Sequence, residues 1–258
     1  HTRRYSSDRR KEDGISGSRY NRWPGHRVNP VSLENLIVPE VKTQTGRYLY
    51  FLNGEPGPVE ECWERRPLEE GGWQIKSVRR AGDISLEVDA TEAGQRINQF
   101  QICWQSRDEL PIHASYQLNG DVLTITRTEG AGVGLDTKAT ALSGLTLLFP
   151  LMRIFVGPVI ENLLSGGGEG TVILPSIADP QDRASLLAVQ ESVRSARVLD
   201  AEDRLQREGE AITCRRCEYL GDQYTAGNEF WLAPDGLLQR YCWQQSEDQL
   251  WDVWLDRD

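Results

Sequence analysis

Three Cys-Trp pairs recur along the chain: Cys62-Trp63, Cys103-Trp104 and Cys242-Trp243. Two more cysteines stand at the spacing Cys214-Arg-Arg-Cys217. Thiols can ligate metal, exchange disulfides or attack carbonyls, and each use makes a demand. A zinc knuckle needs a second pair of ligands, and none follows Cys217. "AITCRRCEYL" also reads as a strand, in which positions three apart face opposite sides. Nucleophilic catalysis needs a base, and the histidines are only His1, His26 and His113. His113 lies on the polar face of "PIHASYQL", away from any partner that would complete a triad. "GAGVG" (130–134) lacks dinucleotide-binding spacing, and "SGGGEGT" (165–171) lacks the Lys-Ser/Thr of a phosphate loop. The acidic pairs Glu60-Glu61 and Glu69-Glu70 read as surface charge. The residues therefore predict no catalytic set, no metal site and no cofactor.

Architecture explains the Cys-Trp pairs better. Each lies in a β-type run, where neighbours point to opposite faces. The pair puts a small group, read as a buried filler, on one face and an indole on the other. Elsewhere the period of two is plain. "ISLEVDA" sets Ile84, Leu86 and Val88 against Ser85, Glu87 and Asp89, and "INQFQICWQ" aligns Phe100, Ile102 and Trp104. "YQLNGDVLTI" is a hairpin turning at Asn119-Gly120, and "FWLAPDGLLQRYCW" turns at Pro234-Asp235-Gly236. "LWDVWLD" near the end predicts a closing strand.

Two segments break the rhythm. Residues 139–164 are apolar with helix-like spacing, interrupted by Pro150, Arg153, Gly157 and Pro158. Residues 179–192 predict a helix capped by Asp179, with Pro180 at its first position and Asp182 at its positive end. The chain thus reads as a basic, irregular arm (1–32) followed by one β domain (33–258) with a helical insert at about 139–192.

Composition narrows the partners. The 258 residues carry a formal charge of −10, which argues against nucleic acid. Residues 1–30 hold eight Arg or Lys against three acids, so the arm is basic on an acidic body. It is a candidate contact for a protein partner. The charge-free run 139–152, 14 residues, is too short to cross a bilayer. Residues 1–30 contain no secretory apolar segment, so the expected compartment is the cytoplasm, or the cell envelope if a leader was removed upstream.

The pieces in this order resemble a known family. "GRYLYFLNGEPGPVEECW" (46–63), "LPIHASYQLNGDVLTI" (110–125), "VILPSIADPQDRASLLA" (172–188) and "FWLAPDGLLQRY" (230–241) are similar to the bacterial DUF3108-type glycolipid-binding proteins. Those in turn resemble the LolA and LppX lipoprotein and lipid carriers. The resemblance covers about 46–256. It implies a long, highly twisted antiparallel sheet curled into a half barrel, with short helices over its open side and no catalytic residues.

The expected protein is therefore mostly β and binds without catalysis. Its ligand would be lipophilic (a glycolipid, acyl chain or isoprenoid), held in the concavity by Trp63, Trp104, Trp243, Leu148, Phe149, Met152, Arg153 and Phe155. The three indoles should share one side of the sheet. Arg153, the lone charge in the apolar block, either meets an anionic headgroup or snorkels to solvent. Two other readings stand beside this one: a protein–protein scaffold using the arm, and a cyclase- or isomerase-type enzyme working in an apolar cavity.

Overall fold

The computed structural model describes residues 42–207, 209–222 and 224–257; the basic arm lies outside them. Eight strands run first in a meander: β1 (Gln44–Leu52), β2 (Glu55–Pro67), β3 (Trp73–Ala81), β4 (Ile84–Ala93), β5 (Arg96–Ser106), β6 (Ile112–Asn119), β7 (Val122–Glu129) and β8 (Val133–Ala141). A short β9 (Thr146–Leu148), a 3-10 turn (Arg153–Phe155), helix α1 (Val156–Ser165) and β10 (Glu169–Pro175) follow. A second meander ends the chain: β11 (Val189–Arg207), β12 (Glu210–Leu220), β13 (Glu229–Leu232), β14 (Leu238–Ser246) and β15 (Gln249–Arg257).

Among the described residues all fifteen strands form one sheet, in the order β8-β7-β6-β5-β4-β3-β2-β1-β15-β14-β13-β12-β11-β10-β9. Each meander places neighbours in sequence beside each other, as hairpins require. The seam is β1 against β15, with Gly46 opposite Arg257 and Leu52 opposite Trp251. Only β9 and β10 run parallel, and α1 makes their crossover. The sheet is twisted and curls into a half barrel that does not close into a barrel.

The inner face follows the period of two. Leu86, Val88 and Ala90, then Phe100, Ile102 and Trp104, then Ile112, Ala114 and Tyr116 are all buried. Phe100 stacks on Tyr116 with ring centroids 4.6 Å apart. Into the curl the chain inserts its own apolar block. α1 turns Val156, Val159, Ile160 and Leu163 inward, the spacing of one helical stripe. Each such fully buried side chain contributes roughly 1.5–3 kcal/mol. The helix approaches the sheet closely because residue 157 is glycine: a Cβ there would stand 1.9 Å from the carbonyl oxygen of Gly236.

The helix expected over 179–192 does not form. The Asp179 carboxylate accepts from the Gln181 N–H, and that of Asp182 accepts from the Ala184 N–H. These local bonds compete with helical pairing. Arg183 binds Glu129 and Glu109, which ties the turn to the sheet. Leu186 and Leu187, the latter at φ 56, then both drop into the core, and Val189 begins β11.

Candidate functional site

The three indoles lie on the inner side of the sheet. Trp63, Trp104 and Trp243 are buried in one core cluster, together with Leu148, Phe149, Met152 and Phe155. The cysteines next to them depart from the filler reading. Cys62 is exposed and Cys103 and Cys242 are half-buried, because they take the outward face. The indole N–H groups of Trp63 and Trp104 find no protein acceptor, a cost of about 1–3 kcal/mol each. Cys214 and Cys217 face opposite ways. Cys217 joins the main core, while Cys214 packs with Leu205 and Trp231 on the other side. Burial pushes both thiols up to about 11, so they stay protonated at neutral pH.

The concavity is filled largely by the chain's own residues 147–163, and open space remains at its margin. A pocket of about 350 Å³ lies there. Arg79 of β3, the 149–153 turn, the end of β10, Gln190 and Arg194 of β11, and Asp222 and Tyr224 beyond β12 line it. Its apolar wall is Phe149, Leu151, Leu174, Pro175, Ile177 and Ala178. Two of its residues, Leu151 (φ 70) and Asp222 (φ 50), hold left-handed backbone without being glycine. Such strain persists only where surrounding contacts impose it.

Three guanidinium groups meet this pocket, and two are neutralised. Arg79 pairs with Glu61 at 2.9 Å and also donates to the Leu151 carbonyl. Arg194 pairs with Asp222 at 2.7 Å and donates to the Tyr219 hydroxyl at 2.7 Å. Burial raises the Tyr219 hydroxyl to about 12, so it keeps its proton at neutral pH and accepts from Arg194 through oxygen.

Arg153 is different. Its guanidinium donates to the Tyr224 hydroxyl at 3.1 Å and lies 5.0 Å over the Tyr241 ring. Its Nε has no hydrogen-bond partner. Among the described residues no carboxylate lies within ion-pair distance of it. It is half-buried among the tyrosines, and the Glu61 charge behind them also favours its charged form.

Glu61 sits behind this arrangement and is almost wholly buried. It accepts from the Tyr50 hydroxyl at 2.7 Å, from Arg79 Nε at 2.9 Å and from the Arg153 main-chain N–H at 2.5 Å. Burial first, and the Glu61 charge second, hold the Tyr50 hydroxyl well above the usual tyrosine range. Both carboxylate oxygens are occupied, so Glu61 anchors the site and does not face the pocket.

The sequence reading named Phe149 and Arg153 from this pocket. It missed Arg79, Arg194, Asp222 and Tyr224 and took Glu61 for surface charge. A signal for Glu61 existed. In "PVEECWERR" the period of two puts Val59, Glu61, Trp63 and Arg65 on one face, so a carboxylate shares the face of a core indole.

A larger concavity, about 610 Å³, opens on the outer face of β3–β7 and includes Cys103 and His113. It is an open stretch of sheet surface lined by both polar and apolar groups, and Lys76 there pairs with Asp89 at 3.7 Å. No uncompensated buried group marks it, so the pocket at Arg153 is the better candidate.

The fold is thus an open, mostly β half barrel carrying one cationic, apolar-walled pocket. Neither a protein-family model nor a curated protein sequence matches the chain significantly. Among solved structures the chain is similar to a β-barrel-like protein of domain of unknown function DUF1849 from Brucella abortus. The identity is 11% and the TM-score 0.48, over 84% of this chain and 97% of that one.

Proposed function

We propose that the protein binds, without catalysis, a small anionic amphiphile: a carboxylate or phosphate carried on an apolar tail. The observation that carries this reading is the guanidinium of Arg153, half-buried beside an apolar wall with no carboxylate at ion-pair distance among the described residues. A partly desolvated charge gains from a direct counter-ion, and Glu61 acts on Arg153 only at longer range, so the pocket favours an anion. Two of the three arginines are spoken for, which leaves about one net positive charge for the ligand. The apolar wall supplies the rest, at about 0.8 kcal/mol for each methylene removed from water.

The volume limits the guest. About 350 Å³ lies at the low end of the range for small-molecule pockets. It suits a single short chain or a headgroup with its first few carbons, better than a whole two-chain glycolipid. The DUF3108-like features of the sequence favour a lipophilic ligand, and carriage of a lipid by its acidic end is the form of that idea the pocket accommodates.

Isothermal titration with octanoate, octyl phosphate and octanol tests the proposal. The two anions should bind, and octanol should bind at least tenfold more weakly. Arg153→Met should remove the preference for charge. Equal binding of octanol and octanoate, or an unchanged preference in Arg153→Met, would overturn it.

A further inference from the structure

The two ends of the sheet are finished differently. At one end β9 is three residues long and turns inward, packing against β5. At the other, β8 spans nine residues, all of them exposed except the half-buried Asp136. Among the described residues nothing pairs with its outer side. Val133 is 69% exposed and Leu135 36%. Natural sheets blunt such edges with proline, charge or covering segments. Here the edge carries no proline, and its one register irregularity lies beside Leu135, which leaves Asp136–Ala141 regularly paired with β7.

The sequence of this edge, "VGLDTKATA", is complementary to itself when reversed. An antiparallel pair centred on Thr137 sets Asp136 opposite Lys138 of the second copy and Lys138 opposite its Asp136. It also sets Leu135 opposite Ala139 and Thr137 opposite Thr137. Opposite charges and threonine pairs directly across a ladder are favourable. Moving the centre by one residue in either direction puts Asp136 opposite itself or Lys138 opposite itself, and like charges across a ladder are unfavourable. Within one copy Arg127 already holds both oxygens of Asp136, and Lys138 lies 4.0 Å from it, so the cross-copy pairs extend an existing charge cluster.

We infer that β8 docks a second copy of this chain, forming a two-fold dimer with its axis at Thr137 and one sheet continuous through both copies. Contact through one edge strand covers less than a standard interface, so the dimer is weak and concentration-dependent. The inference is independent of the ligand pocket, which lies elsewhere on the sheet.

Sedimentation velocity and cysteine crosslinking on the full chain test it. Weight-average mass should rise toward twice the monomer's with concentration, and Lys138→Glu should raise the concentration needed at least tenfold. Residues directly opposite in an antiparallel pair are about 4.5–5.5 Å apart at Cα, within disulfide reach. Thr137→Cys should therefore form an intermolecular disulfide under mild oxidation, above the background from the native cysteines. Leu135→Cys should not, because its twin lies about 13 Å away, four residues along the ladder. A chain that stays monomeric at its highest soluble concentration, or equal crosslinking at both positions, would overturn the inference.

Discussion

The main-chain N–H of Arg153 donates to Oε1 of Glu61 across 2.5 Å, joining residues 92 positions apart. This bond fastens the apolar block to β2, and the same carboxylate holds Arg79 of β3. One side chain therefore fixes both the turn that presents Arg153 and the neighbouring guanidinium.

Glu61→Gln should cost about 3 kcal/mol, the usual scale for breaking a buried ion pair from one side. Adding Arg79→Met should recover part of the loss, since the Arg79 charge is then not left without its partner. Urea denaturation of the wild type, both single variants and the double variant gives the coupling. A Glu61→Gln protein as stable as the wild type would show that the tether contributes little.

Arg153→Met should change the stability of the unliganded protein by no more than about 1 kcal/mol, because a half-buried charge with no direct ion-pair partner is replaced by an apolar chain of similar length. Thermal melting without ligand measures this. A loss of several degrees would mean that Arg153 serves the fold and not a guest.

Gly157→Ala should destabilise by roughly 1–3 kcal/mol, because the new methyl meets the Gly236 carbonyl. The direction is the opposite of helix propensity, which favours alanine by about 1 kcal/mol. A stabilised variant would place α1 farther from the β13–β14 turn than described.

Burial raises the Glu92 carboxyl above its ordinary value, against the opposing charge of Arg65. A carboxyl raised in the folded state contributes stability that is present below its unfolded pKa and lost as pH rises through the folded one. Glu92→Gln should therefore melt higher than the wild type at pH 7, and the gap should close as pH falls toward 4. Asp136, held low first by its hydrogen bonds to Arg127, follows the opposite rule: its contribution is present at pH 7 and lost on acidification through its folded value. The difference between variant and wild type isolates Glu92 from such groups. A gap that does not change with pH would contradict the assignment.

Much of the sheet is written in local pattern. Alternation at Ile84–Ala90 and Phe100–Trp104, and the turns at Asn119-Gly120 and Asp235-Gly236, depend only on residues a few positions apart. The shared orientation of Trp63, Trp104 and Trp243 follows from the same rule. The pocket is less legible because its members come from β3, the 149–153 turn, β11 and the 222–224 turn, and no local signal links Arg79 to Arg194. The segment at 179–192 was misread for a different reason. Asp179 and Asp182 suit a helix start and an Asx turn equally well, and tertiary contacts of Arg183 and the two leucines decide between them.

The seam between β1 and β15 bears on how the molecule comes into being. Arg47 and Asp256 touch although 209 positions separate them. Each meander can zip up from its own hairpins, but the middle of the sheet must wait for the last strand to leave the ribosome. Until then β1 offers a bare hydrogen-bonding edge with Tyr48 and Tyr50 beside it. Closing so long a loop is slow, and that waiting period is when a nascent chain is most exposed to mispairing.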